Sequence, residues 1–186
     1  MVKVIPTEIP EVLLLEPRVF EDPRGMFFES YNRRTFARAT GVDVEFVQDN
    51  FSRSVKNVIR GLHYQVEHPQ GKLVRTLRGR IFDVAVDLRK SSPTFGSWVG
   101  FTLSEADRRM AWIPPGFAHG FLVLSEEADV HYKVTDYWYA EHERTIAWND
   151  PDLAIGWPIE GEPAVQPTMT DKDRRGTPLA SAELFE

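Results

Sequence analysis

The chain has 186 residues, 42% of them hydrophobic and 27% charged, with 22 Lys plus Arg against 28 Asp plus Glu and no cysteine. That length suits one domain around a single core, and the composition is that of a globular protein, not a disordered or fibrous one. A formal charge of -6 argues against general binding to nucleic acid or to anionic membrane, and the absence of cysteine excludes disulfides, thiolate metal sites and a cysteine nucleophile. No stretch approaches the roughly 18 apolar residues of a membrane span. The opening "MVKVIPTEIPEV" has prolines where a signal peptide would have its apolar run. The expected setting is the cytoplasm.

Thirteen prolines and twelve glycines lie between short runs of alternating or β-branched residues, the mark of many short strands joined by turns. In chain order the pattern predicts strands at residues 12–15, 26–30, 45–51, 58–65, 72–77, 81–88, 98–103, 110–113, 119–124 and 130–135. Two stretches read as helix: 32–39, capped by Asn32 and stopped near Gly41, and a turn at 104–109 with Ser104 as its N-cap. The expected fold is all-β, a sandwich or jelly-roll barrel with short peripheral helices. Its core spans about 12–158, followed by a C-terminal flap at about 159–186 with a helical turn in "SAELFE". The clearest strand is 81–88, "IFDVAVDL": Phe82, Val84, Val86 and Leu88 share one face, so the face with Asp83 and Asp87 must look at water or at a site.

Polar residues interrupt several of these strands. His63 sits between Leu62 and Tyr64, His119 lies in "GFAHGFLVL", and Tyr132 alternates with Val130 and Val134 on what should be the buried face. Each alone reads as a core group satisfied by one hydrogen bond. A small barrel has one interior, however, so His63, Lys72, His119 and Tyr132 from four strands are expected to converge there at low dielectric, where pKa values are tuned. Lys72 in "QGKLVR" shares its face with Val74 and Thr76, and a buried ammonium costs several kcal/mol unless it is paired or used. The alternative for Lys72 is a lysine that snorkels out at the strand's first residue. Strict alternation puts Arg60 and His63 on opposite faces; either Arg60 is solvated, or a bulge at Gly61 re-aims one of the two. Taken singly, Arg24, Arg60, Arg75 and Lys172 read as solvated surface charges. A metal site would have to recruit Glu67, His68 and His119, and "HYQVEH" lacks the His-x-His pair usual in metal-binding barrels of this type, so no metal is expected.

With these residues in place, the chain resembles the dTDP-4-dehydrorhamnose 3,5-epimerase family nearly from end to end. The resemblance is carried by "VFEDPRGMFFESYN" (19–32), "FVQDNFSRS" (46–54), "VIRGLHYQ" (58–65), "GKLVR" (71–75), "IFDVAVDLRKSSPTFG" (81–96), "WIPPGFAHGFLVLS" (112–125), "YKVTDYW" (132–138) and "WNDPDLAIGWP" (148–158). It implies a cupin-type jelly roll, a homodimer without metal or redox cofactor, and inversion of dTDP-4-dehydro-6-deoxyglucose at C3 and C5 on the route to dTDP-rhamnose. It further implies that His63 is the base, Asp173 the carboxylate that orients it, Lys72 the cation for the enolate oxygen and Tyr132 the proton donor. Arg24, Glu29, Gln48, Asn50, Arg60, His119, Glu143 and Lys172 are implied to bind the nucleotide end. In family members, residues of the partner subunit often complete that end.

Two departures stand out. The chain has Tyr137-Trp138 where the family commonly has Tyr-Tyr, and "MTDKD" (169–173) where it commonly has "LS-KD", so Asp171 competes with Asp173 as the partner of His63. Three other functions compete: an epimerase acting at C3 or C5 only, a catalytically silent sugar-nucleotide-binding barrel, and a metal-dependent cupin oxygenase. The set His63, Lys72, Tyr132 and Asp173 speaks against the second, and the missing ligand pattern against the third.

Overall fold

The computed structural model describes residues 2–160 and 165–186. Its elements in chain order are β1 (Lys3–Pro6), β2 (Leu13–Glu16), β3 (Phe20–Asp22), β4 (Gly25–Phe27), α1 (Arg33–Thr40), β5 (Gln48–Val55), β6 (Ile59–Gln65) and β7 (Lys72–Arg78). Then come β8 (Arg80–Asp87), β9 (Trp98–Ser104), β10 (Met110–Ile113), β11 (Phe117–Val123), β12 (Glu127–Val134), β13 (Glu143–Thr145), the one-turn helix α2 (Asp171–Arg174) and a 3₁₀ turn at Leu179–Ser181. A six-stranded sheet, β1-β2-β10-β7-β12-β5, faces a five-stranded sheet, β13-β6-β11-β8-β9, and β3 with β4 forms a separate hairpin. The strand pairings within both sheets are antiparallel. This is the expected jelly-roll barrel of cupin type. Among the described residues no helix is long and apolar enough to cross a membrane.

The barrel has buried surface on three levels. Between the sheets, Val74, Ile81, Ala85, Phe117, Phe121 and Val130 form the main core. Outside the five-stranded sheet, Val84, Val86 and Leu88 pack with Leu62, Tyr64, Ile146 and the tail residues Leu179, Leu184 and Phe185. Outside the six-stranded sheet, Phe36 of α1 packs with Leu15, Leu73, Met110 and Trp112. Each such side chain contributes about 1.5–3 kcal/mol by leaving water. The middle level decides how β8 is read. Its two faces divide as the alternation predicts, but the apolar face turns outward under the tail and the face bearing Asp83 turns into the barrel. Alternation assigns faces without saying which is inside, and a strand covered on both sides removes the contrast.

Helix α1 forms where its caps are: Asn32 Oδ1 accepts from Thr35 N–H at 3.1 Å, and Gly41 at φ 76° gives its N–H to the Ala37 carbonyl. The stretch 104–109 makes one turn and no helix. Ser104 Oγ accepts from Asp107 N–H as an N-cap does, and the Ser104 carbonyl accepts from Arg108 N–H, but Arg108 at φ 56° ends the turn there. In the tail, the helical turn expected in "SAELFE" lies earlier, at Leu179–Ser181, and Phe185 bridges to Arg89 in extended conformation. Strands β1, β3 and β13 went unanticipated, being three or four residues long. The stretch predicted at 26–30 holds strand only to Phe27, because β3 and β4 project with Phe20, Met26 and Phe27 exposed and no buried face to give them a period.

Candidate active site

A cavity of about 410 Å³ lies between the two sheets. Strand β6 supplies Arg60, His63 and Gln65 to it, β7 supplies Lys72, β11 supplies His119 and β12 supplies Tyr132. The convergence expected from sequence therefore occurs. Arg60 reaches the same cavity as His63 through a bulge: His63 pairs with His119 and Arg60 with Phe121, so Gly61 and Leu62 together face the single residue Gly120. Gly61 has φ 118°, and a Cβ on it would lie 2.5 Å from Gly120 Cα. Only glycine fits both the conformation and the approach.

His63 Nε2 lies 2.5 Å from Asp173 Oδ1. Asp173 is 2% exposed and sits on α2, whose N-cap Thr170 accepts from the Asp173 N–H. Burial alone would raise its carboxyl pKa, but His63, Thr170 and the charge of Lys172 hold it below the ordinary carboxylate value. An ionised carboxylate only accepts, so the proton lies on His63 Nε2 and the free lone pair on Nδ1. Asp171 is exposed and points to Arg175, 3.9 Å away. Of the two tail carboxylates, Asp173 is the one that meets His63.

Lys72 crosses the barrel: it belongs to the six-stranded sheet, and its Nζ donates at 3.1 Å to the carbonyl of His63 in the other sheet. Burial pulls the ammonium down to about 8, against the charges of Glu143 and Asp83. The folded value lies below the unfolded value of about 10.4, so the unfolded chain holds more protons between about pH 8 and pH 10.4, and stability from this group rises across that window. Below pH 8 the protonated lysine burdens the fold. Lys72→Met is therefore expected to raise the Tm at pH 7 by about 2–4 °C, the equivalent of about 1 kcal/mol in a chain of this size. Melting scans at pH 7 and pH 10.5 check this; the gain should shrink at the higher pH, and a lower Tm at pH 7 would mean the ammonium is well paired.

Tyr132 stands on the six-stranded sheet, paired with Asn50 of β5 and Val74 of β7. Burial pushes its phenol above the ordinary value, Arg60 opposes this and Glu143 adds to it. The hydroxyl is therefore a proton carrier at neutral pH. His63 and Tyr132 occupy opposite walls, and Lys72 adds a positive charge between them.

Around these groups lie most of the other anticipated residues. Gln48 Nε2 donates to Asn50 Oδ1 at 2.9 Å, Arg60 Nε donates to Ser54 Oγ at 2.9 Å, and His119 Nε2 meets Asp83 Oδ2 at 2.9 Å. Glu143 lines the cavity, and Lys172 Nζ donates to its Oε2 at 2.7 Å. Arg24 and Glu29 are not brought there. Arg24 extends from the exposed β3–β4 turn and pairs with Asp22, while Glu29 accepts from Asn32 beside α1. Their distance from the cavity has a physical reason, since the hairpin joins neither sheet and is held by Arg108, which reaches Met26 and Glu21. Arg75, read among the basic set, faces outward with its guanidinium over the Phe28 ring. The residues weighed for a metal point apart: His68 meets Asp136, Glu67 lies near His142, and His119 is in the cavity. Among the described residues no three His, Asp or Glu side chains form a metal-ligating group.

Gln65 and Trp138 line the cavity without being among the site residues expected from sequence, where Trp138 stood only as a departure from the family pattern. Gln65 is buried, donates to the carbonyls of His68 and Tyr137 and accepts from Tyr139 N–H, while Gln48 Oε1 accepts from Trp138 N–H. Two glutamines from facing sheets thus hold the segment that sets Trp138 at the cavity mouth. A glutamine in a strand-like run was the available signal.

A family model described as dTDP-4-dehydrorhamnose 3,5-epimerase matches residues 6–181. A protein of that name from Pseudomonas aeruginosa is 59% identical over 95% of this chain and 96% of its own length. One from Shigella flexneri is 54% identical over 98% of each chain. Among solved structures, a dTDP-6-deoxy-D-glucose-3,5-epimerase from Legionella pneumophila in complex with dTDP-4-keto-L-rhamnose superposes with a TM-score of 0.94 at 49% identity, covering 98% of this chain and 95% of the other.

Proposed function

The chain belongs to the dTDP-4-dehydrorhamnose 3,5-epimerase family, and from that premise we propose how its cavity inverts C3 and C5 of dTDP-4-dehydro-6-deoxyglucose to give dTDP-4-dehydro-L-rhamnose for dTDP-rhamnose synthesis. The protein is an isomerase. A proton on carbon beside the C4 ketone is acidic because its loss leaves an enolate, so the reaction needs a base, a cation at the enolate oxygen and an acid on the opposite face. His63 Nδ1 takes the proton, the charge that develops on its ring is met by Asp173, and Lys72 stabilises the oxygen at C4. Tyr132 then returns a proton from the other wall. His63 releases its proton to solvent and the Tyr132 phenolate regains one, so the protein ends as it began. The observation that carries this reading is the placement of His63 and Tyr132 on facing sheets. A flat enolate held between them is deprotonated on one face and protonated on the other.

Arg60 and Lys172 suit the pyrophosphate, and Gln48 and Asn50 the edges of thymidine or ribose. Arg24 and Glu29 cannot serve their own cavity, and the hairpin beside them leaves Phe20, Met26 and Phe27 in water. The outer face of β5 and β7 likewise leaves Phe51, Val55 and Leu77 exposed. These features support a homodimer in which each hairpin carries Arg24 and Glu29 to the partner's cavity. A nucleotide-sugar reaction and a chain without cysteine fit the cytoplasm.

The test is incubation of the purified protein with the 4-keto sugar nucleotide in deuterated water, with label position and configuration read by NMR. Deuterium and inversion at both carbons are expected; inversion at one alone would make the protein a monoepimerase, and neither would leave a binding barrel. Sedimentation at twice the 21.4 kDa chain mass is expected in the same preparation, and a monomer would remove the hairpin exchange.

A further inference from the structure

One carboxylate beside the cavity has no part in the reaction as derived. Asp83 lies on β8, fully buried, on the inward face of the strand that pairs with β11. Its Oδ2 is 2.9 Å from His119 Nε2, and its Oδ1 is buried without a hydrogen-bond partner among the described residues. His119 is the cross-strand neighbour of His63. Two histidines therefore stand side by side on adjacent strands, each with its own carboxylate on Nε2. A charged group buried with half its acceptor capacity unmet is costly unless another charge uses it.

Lys72 is buried in the same cavity. From the elements around it come His63 on β6, His119 on β11, Asp83 on β8, Glu143 on β13 and Tyr132 on β12, while β10 places the apolar Ile113 opposite. Asp83 and Glu143 are the two acids of this set, and Glu143 already accepts from Lys172. Among the described residues, Asp83 has no basic side chain other than the His119 ring within bonding distance.

We propose that Asp83 is a positioning residue of the epimerase reaction: it holds the His119 ring with the proton on Nε2 and Nδ1 turned to the cavity, beside His63 on the neighbouring strand. This rests on the reading of the cavity as the place where the enolate forms. Removing the carboxylate frees the His119 ring to turn or to take its proton on Nδ1, and the cavity loses a fixed group beside His63.

The experiment compares the wild-type protein with Asp83→Asn, which keeps size and removes charge. Turnover is expected to fall on the order of 10²-fold. The loss should fall on kcat, with KM within about twofold. Nitrogen-15 NMR of the histidine rings, with His119 identified by its loss in His119→Asn, should show the Nε2–H tautomer in the wild type and less of it in Asp83→Asn. A variant that loses only Tm, with kcat and the His119 tautomer unmoved, would make the pair structural and overturn the proposal. Should Asp83→Asn fail to fold, the wild-type spectrum decides: Nε2–H on His119 supports the proposal and Nδ1–H overturns it. The spectrum needs no substrate, so a wild-type protein that incorporates no deuterium would reject the functional reading separately.

Discussion

His63→Ala is expected to remove deuterium exchange at both C3 and C5 while the barrel stays folded. The ring is the one imidazole whose Nε2 is tied to Asp173, which leaves Nδ1 as the proton acceptor toward the cavity. Loss of a general base costs roughly 10²- to 10⁴-fold. The fold should tolerate the change, since the histidine side chain is 27% exposed and no apolar cluster contains it. Rates of label uptake at each carbon, measured on substrate held with excess enzyme, give the answer. Exchange that persists at one carbon would require a second base, and His119, its neighbour across the β6–β11 ladder, would be the one to remove next.

Tyr132→Phe should separate removal of a proton from inversion of a carbon. The substitution keeps the ring, which packs against the main core, and deletes only the hydroxyl. His63, Asp173 and Lys72 remain, so the enolate still forms and is reprotonated from the wall that carries His63. Recovered substrate should therefore gain deuterium at C3 or C5 with its configuration retained, and epimer should fall by roughly 10²- to 10⁴-fold, as for loss of a general acid. Equal loss of exchange and inversion would mean that the hydroxyl helps to form the enolate. Wild-type inversion would take Tyr132 out of the chemistry and turn attention to Tyr137, which lies exposed beside the mouth.

Much of this was legible in the sequence because two kinds of signal do not depend on long-range context. The alternation around Tyr132 and the glycine next to Arg60 are local, and both act as read: Tyr132 faces the barrel, and the bulge turns Arg60 to the side of His63. Cap residues placed α1 for the same reason. What the sequence left open depended on residues far away in the chain. The inward turn of Asp83 follows from the tail covering the outer face of β8, and nothing in "IFDVAVDL" contains that tail. The choice between Asp171 and Asp173 is a matter of which side of a one-turn helix meets the barrel, and two residues on such a helix point nearly opposite ways. Arg24 and Glu29 carry the family's motif yet lie away from the cavity of their own chain, a separation that no spacing within one chain reveals.

The carboxylate behind His63 belongs to neither sheet. Asp173 arrives on α2, in a segment that follows the last barrel strand, β13, and ties itself down through bridges from Thr168 to Val58 and from Thr177 to Ile146. Ribosomes make proteins from the amino terminus, so the pocket, with its lysine, tyrosine and imidazole, is synthesised before the group that completes its proton acceptor. A chain that stops before α2 has the strands that line the cavity but neither Lys172 nor Asp173, so its imidazole has no partner to absorb the charge of a captured proton. Chemistry thus waits for the outer wrapping, and competence to react becomes a sign that the whole polypeptide has been threaded into place.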